Sequence, residues 1–265
     1  MSRRLLSGAA LACALSVSPV ADTLAQDCCP IVELRQYTLF PGKRDALIAL
    51  FEEHFIESQE ATGMRIAATF RDLGDPNRFV WVRGFTDMRA RHEALTAFYY
   101  GPVWQEHRKQ ANATLEDNDN VLLLHPAFAG SGFVLDGLAR PAPGAPVGSR
   151  LVVATIYYLR DDALAAFAAA FRRDLAPLLE RSGARILAQY VSDKSKNTFA
   201  RLPVREKEHV FVSFAVFDGT GDYDSHLKAL AVNERWRALL AAQSSVMERP
   251  PETHLLQPTP RSLVR

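Results

Sequence analysis

The sequence predicts an α+β fold made of two tandem βαββαβ units, and three observations carry that prediction. The chain repeats itself, each copy shows the same order of strand and helix signals, and a Pro-, Gly- and Ala-rich connector separates the copies. A shift of 120 residues places Tyr37 and Leu39 on Tyr157 and Leu159, and Gly63, Arg65, Ile66 and Ala68 on Gly183, Arg185, Ile186 and Ala188. A shift of 132 then places Phe79, Val80, Phe85, Leu95 and Trp104 on Phe211, Val212, Phe217, Leu227 and Trp236. The same shift continues to Leu123, Leu124 and Pro126 on Leu255, Leu256 and Pro258. The change of shift assigns extra residues to the second copy within the polar stretch 194–208, which reads as a loop.

The elements follow in order. Ile31 to Leu39 is β-branched and aromatic enough for a strand, and Pro41-Gly42 ends it. Leu47, Leu50, Phe51, His54 and Phe55 recur at helical spacing, which predicts a helix over 43–60. Strands over 64–73 and 79–85 are joined by Gly74-Asp75-Pro76-Asn77, strong turn chemistry. A helix from Met88 is interrupted at Gly101-Pro102, restarts with proline at a tolerated early position, and runs to about Leu115. A strand over 120–124 closes the unit. The order is that of the ferredoxin-like split βαβ, whose antiparallel sheet carries helices on one face and leaves the other bare. Two copies in one chain can cover both bare faces by forming a pseudo-dimeric α/β barrel. The expected organisation is a signal peptide at 1–25, a first repeat at 26–126, a connector at 127–150, a degenerate second repeat at 151–258 and a loose tail at 259–265.

Composition narrows the function classes. The chain has 265 residues, 48% hydrophobic and 23% charged, with 31 Lys+Arg against 30 Asp+Glu. Near-neutral charge without a basic cluster argues against a nucleic-acid surface, which needs a concentrated positive field. Arg3 and Arg4 precede a weakly apolar run from Leu5 to Ala21, and Thr23-Leu24-Ala25 suits cleavage. That predicts export to the periplasm or the medium, by the general or the twin-arginine route, with no membrane span once the signal is removed. Export would leave Cys28 and Cys29 adjacent at the new N-terminus. A ring closed between neighbours is strained, so the readings are an interchain bridge, a soft-metal grip or two thiols on a flexible arm.

Glu33-Leu34-Arg35-Gln36-Tyr37-Thr38-Leu39, followed by Pro41-Gly42-Lys43, resembles the opening of the NIPSNAP family. Phe79-Val80-Trp81 and Phe98-Tyr99-Tyr100-Gly101-Pro102-Val103-Trp104 resemble its later segments. The likeness covers residues 31 to about 126 well and 151–258 as a degenerate copy. It implies the dimeric α/β-barrel superfamily, which includes cofactor-free monooxygenases, isomerases and haem enzymes, and so implies no single reaction.

Strand alternation separates Val32, Leu34, Val80 and Val82 from Glu33, Arg35, Tyr37, Trp81 and Arg83. The apolar set is expected under the helices and the polar-aromatic set inside the barrel, forming a small-molecule chamber. There Arg35 or Arg83 would anchor an anionic group, Tyr37 and Trp81 would stack, and Glu33 or His54 would move a proton. Glu33 pairing with Arg35 or Arg83 merely to seal the interface between repeats is the structural alternative. The second copy has Val153, Thr155, Ser213 and Ala215 where the first has Glu33, Arg35, Trp81 and Arg83, and keeps only Tyr157 for Tyr37. That suggests a site in the first copy and a scaffold in the second. A helix shift of 116 sets His54 against Ala170. Trp104, His107 and Arg108 share a helix face that could cap the pocket.

No histidine has metal-ligand spacing, and no phosphate loop, dinucleotide fingerprint or nucleophile elbow is present. The leading reading is an exported NIPSNAP-type protein that binds a small aromatic or apolar-anionic molecule without a cofactor, alone or as a homo-oligomer. The alternatives are a cofactor-free monooxygenase or isomerase, a haem binder with His107 or His54 as axial ligand, and a structural or partner-binding module with a sealed interior.

Overall fold

The computed structural model describes residues 27–265, so the expected signal at 1–25 lies outside the described residues. The first half runs β1 (Ile31–Leu39), α1 (Arg44–Leu50), a π-helical turn (Phe51–Phe55), α2 (Ile56–Glu60), β2 (Arg65–Asp72) and β3 (Arg78–Phe85). It continues with α3 (Met88–Tyr99), α4 (Pro102–Asn112), the short β4 (Leu115–Asp117) and β5 (Val121–Pro126). The second half follows the same order: β6 (Leu151–Tyr158), α5 (Leu164–Ala170), a π turn (Phe171–Leu175), α6 (Ala176–Arg181), β7 (Arg185–Ser192), β8 (Val210–Phe217), α7 (Thr220–Ala231), α8 (Glu234–Ser244) and β9 (Glu252–Pro258). Asp87 caps α3 by accepting from the Ala90 N–H at 2.7 Å. A Cβ on Gly101 would lie 2.6 Å from the Ala97 carbonyl oxygen, so the break between α3 and α4 requires glycine there.

Eight strands close into an antiparallel barrel in the order β1, β3, β2, β9, β6, β8, β7, β5 and back to β1. The halves meet at two seams, β2 with β9 (Phe70 opposite Pro258) and β5 with β7 (Leu124 opposite Ser192). The sequence reading did not foresee β4, which pairs Leu115 with Leu39 beyond the ring. Both halves carry a register shift at the same place, Ile66/Ala68 and Ile186/Ala188.

Inside the barrel lies a dry core that includes Val32, Leu34, Phe70, Val80, Val82, Leu122, Ile156, Val212 and Phe214. This corrects the expected face assignment: the apolar alternation set points into the barrel, and Glu33, Arg35, Tyr37, Trp81 and Arg83 point outward, under the helices. The reason is burial on both sides. The barrel closes tightly enough that only apolar side chains can fill its centre, while the helix-covered face leaves room for paired charges. Among the described residues, apolar side chains fill the barrel centre where the chamber was expected.

Three segments read as linkers plug this core. Phe133 and Leu135 of the connector, Leu263 and Val264 of the tail, and Cys29 all pack against it. The tail is therefore not loose. Ser262 Oγ accepts from the Thr69 N–H at 3.1 Å, and the Val264 N–H donates to the Ala67 carbonyl at 3.1 Å. The expectation for the cysteines is corrected as well, since Cys28 and Cys29 are bonded to each other. The arm is fixed because the Cys28 N–H donates to the Phe133 carbonyl at 2.9 Å.

The structure also corrects the helix alignment. The first helices and their π turns coincide at the strand shift of 120, not 116, which places His54 opposite Asp174. Among the described residues no helix is long and apolar enough to cross a membrane.

Candidate functional site

The outward side chains of β1 and β3 build the site floor. Alternation puts Glu33, Arg35 and Tyr37 on one face of β1, and antiparallel register sets Arg83 opposite Glu33 and Trp81 opposite Arg35. Glu33 accepts from three guanidiniums: Arg35 Nη1 at 2.6 Å, Arg83 Nε at 2.8 Å and Arg91 Nε at 2.7 Å. All four side chains are fully buried. Burial alone would raise the Glu33 carboxyl, but Arg83, Arg35 and Arg91 outweigh it and hold the group well below the usual carboxylate range. A carboxylate held this way does not accept a proton near neutrality. The expectation that Glu33 moves a proton is therefore corrected, and its geometry is that of a structural hub. Arg83 also donates to Gln59 Oε1 at 3.0 Å, and Arg35 Nε donates to the Tyr37 hydroxyl at 2.9 Å.

Above this floor, between sheet and helices, lies a cavity of about 200 Å³. Tyr37, Phe51, Phe55, Trp81, Trp104 and Arg201 are among its lining residues. The aromatic wall is edge-packed, with Trp81 4.8 Å from Phe51 and 5.7 Å from Tyr37 between ring centroids. The indole Nε1 groups of Trp81 and Trp104 are both buried and have no hydrogen-bond partner among the described residues, and neither does Arg35 Nη2. Phe51 and Phe55 reach the cavity from the π turn, a local widening often found at functional sites.

The structure brings Tyr37, Trp81 and Trp104 together in the wall. Arg35 and Arg83 pair with Glu33 in the floor network and are not among the lining residues, unlike the expected anion anchors. His54 and His107 are stacked face to face at 3.9 Å and line no part of the cavity, and Arg108 is exposed. The cavity wall contains no carboxylate and no imidazole. The cavity does not fit haem, because at about 200 Å³ it is too small for the macrocycle and neither His54 nor His107 lines it to serve as an axial ligand.

Sequence reasoning missed Arg91, whose signal was a charge on the apolar stripe of α3 shared with Leu95 and Phe98. It also missed Arg201, which arrives from the second half. The loop at 194–208 crosses onto the first half. Arg91 Nη1 donates to Asn197 Oδ1 at 3.0 Å, His92 Nδ1 lies 2.6 Å from the Thr198 carbonyl oxygen, and Phe199 and Leu202 join the core under the helices. No local pattern in either stretch announces that contact.

The NIPSNAP family model matches residues 32–129. No curated protein matches the chain. Among solved structures, an anthrone oxidase-like protein superposes with a TM-score of 0.59 at 15% identity, covering 89% of this chain and 94% of its own. A monooxygenase-like protein from Lactobacillus acidophilus NCFM superposes with a TM-score of 0.54 at 11% identity, covering 87% and 94%. At these identities the likeness establishes the mixed α/β barrel fold alone. The motifs of β1, β3 and α3–α4 all fall within the matched residues 32–129, so this stretch of the chain, short of half its length, is what is similar to the NIPSNAP family.

Proposed function

We propose that the protein binds a small aromatic molecule carrying a hydrogen-bond acceptor in the cavity of its first half, with the exposed Arg201 at the mouth selecting an anionic end. The observation that carries this reading is the pair of buried indole N–H donors, Trp81 and Trp104, left without acceptors in an aromatic-walled cavity. A buried donor without a partner is costly, and a ligand carbonyl, carboxylate or phenolate would satisfy it. The volume of about 200 Å³ is below the roughly 300–1,000 Å³ of drug-sized sites, which favours a one- or two-ring ligand. A cavity wall without a carboxylate or an imidazole favours binding over proton abstraction, and so ranks a cofactor-free monooxygenase second.

The same reading includes two ferredoxin-like repeats joined into a pseudo-dimeric barrel. The shared element order and the matching π turns and register shifts support it. Export to the periplasm, where a disulfide such as Cys28–Cys29 persists, belongs to the proposal too.

Titration with 2-naphthoate, followed by calorimetry, tests the binding reading. Trp104→Phe, which removes one donor and leaves a smaller aromatic ring in the wall, is expected to weaken binding at least about tenfold, the worth of one hydrogen bond to a charged acceptor. Leu115→Trp, which fills the cavity from its rim, is expected to abolish it. Binding indifferent to both substitutions refutes the reading.

A further inference from the structure

The second half of the barrel has a cavity of its own, also about 200 Å³, between the outer face of β6–β8 and the helices. Repeat-related residues line the two cavities: Tyr157 for Tyr37, Phe171 for Phe51 and Trp236 for Trp104. Where the first half fills the space below with Glu33, Arg35, Trp81 and Arg83, the second has Val153, Thr155, Ser213 and Ala215, and all four of these line its cavity. The register is the same, with Thr155 opposite Ser213 and Val153 opposite Ala215. These substitutions remove every charge and much volume from one enclosed place. A half kept only as scaffold gains stability by filling such a space with a larger apolar side chain, since an empty cavity is destabilising. This one is left unfilled and is edged with hydroxyls.

We propose that this cavity is a second binding site, for a small uncharged molecule bearing a hydroxyl on an aromatic ring. Two groups set that chemistry. The Tyr157 ring is buried, its hydroxyl has no hydrogen-bond partner among the described residues, and burial pushes its pKa up, so it stays a donor. His226 supplies the acceptor. Its Nδ1 lies 2.8 Å from Ser182 Oγ, whose own proton goes to the Leu178 and Leu179 carbonyls at 3.0 and 2.8 Å. Nδ1 therefore carries the ring proton, and Nε2 is left with its lone pair. A phenolic hydroxyl can accept from Tyr157 and donate to His226, and its ring meets Phe171, Phe217 and Trp236. No Asp, Glu, Lys or Arg lines the cavity, so a carboxylate has no counter-charge there. The inference stands on the second cavity alone and does not depend on what the first one binds.

Ligand-observed fluorine NMR of 4-fluorophenol at pH 7 with the full chain tests it. Saturable line broadening is expected in the unmodified protein and in Leu115→Trp, which fills only the first cavity. Ser213→Leu, which fills the second, is expected to abolish it when added to Leu115→Trp. Tyr157→Phe, which keeps the ring and so the packing, is expected to weaken binding about fivefold. Absence of broadening in the unmodified protein overturns the proposal. So does broadening lost in Leu115→Trp but kept in Ser213→Leu, or an affinity that neither Ser213→Leu nor Tyr157→Phe changes. Equal binding of 4-fluorobenzoate at the same site overturns the uncharged class.

Discussion

Glu33 and Arg83 face each other across β1 and β3, with Nε 2.8 Å from Oε2 and neither side chain reached by solvent. Arg35 and Arg91 complete a cage in which three guanidiniums share one carboxylate. Breaking such a buried cluster by removing its single anion leaves uncompensated charge, at a cost of about 3–5 kcal/mol. Glu33→Gln is therefore expected to lower unfolding free energy by that amount, measured in urea at pH 7. The pH dependence follows from the direction of the shift. A carboxyl held below its unfolded value contributes stability that is complete above roughly pH 4.3 and declines as pH falls through the folded pKa. Between pH 5 and 3 the unmodified protein is expected to lose stability more steeply than Glu33→Gln, and parallel curves would contradict the assignment.

The fold was legible because its signals are local. The turn at Gly74–Asn77, the helix restart at Pro102 and the repeated Gly63 and Gly183 each mark a boundary within a few residues of where it falls. Which face of a strand looks inward is not local. Val32 and Glu33 alternate identically whether the barrel centre or the helix layer takes the apolar set, and only closure of eight strands decides it. Tyr37 and Trp81 were readable as enclosed aromatics because both are buried on either assignment, but their meeting with Trp104 between sheet and helices was not. The role of Glu33 was not readable, because it depends on Arg91, more than fifty positions away on another element.

The loop at 194–208 is expected to act as the roof of the first cavity. Phe199 is buried among the helices of the first half, 5.8 Å from the Tyr99 ring, and Arg201 lies over Tyr100 at 5.4 Å. Phe199→Ala should cost about 3 kcal/mol, in the range for deleting a buried aromatic. It should also raise hydrogen exchange across 194–208 and weaken 2-naphthoate binding. Unchanged exchange in that loop would show that the anchor lies elsewhere.

Gly84 is expected to tolerate no side chain. A Cβ there would stand 2.2 Å from Cys29 Sγ and 2.4 Å from Cys29 Cβ, both in a packed interior. Gly84→Ala must displace the Cys28–Cys29 turn or bend β3, and overpacking of this kind costs about 1–3 kcal/mol. A urea midpoint equal to that of the unmodified protein would mean that the turn yields freely.

The tail reads as dispensable in sequence, yet it seals one end of the barrel. Leu263 and Val264 are buried against the core, and Thr259 Oγ1 lies 2.6 Å from Thr69 Oγ1. Arg261 Nη1 donates to the Glu52 carbonyl at 2.6 Å, tying the tail to the π turn below the first cavity. Burying two aliphatic side chains is worth roughly 1.5–3 kcal/mol each, so removing residues 259–265 should destabilise by about 3–6 kcal/mol. Because β2 would also lose the Thr69 and Ala67 contacts, exchange protection should fall first along β2 and β9, while β7 and β8 keep theirs. Uniform loss across all strands would show instead that the barrel unfolds as one unit without a weak seam.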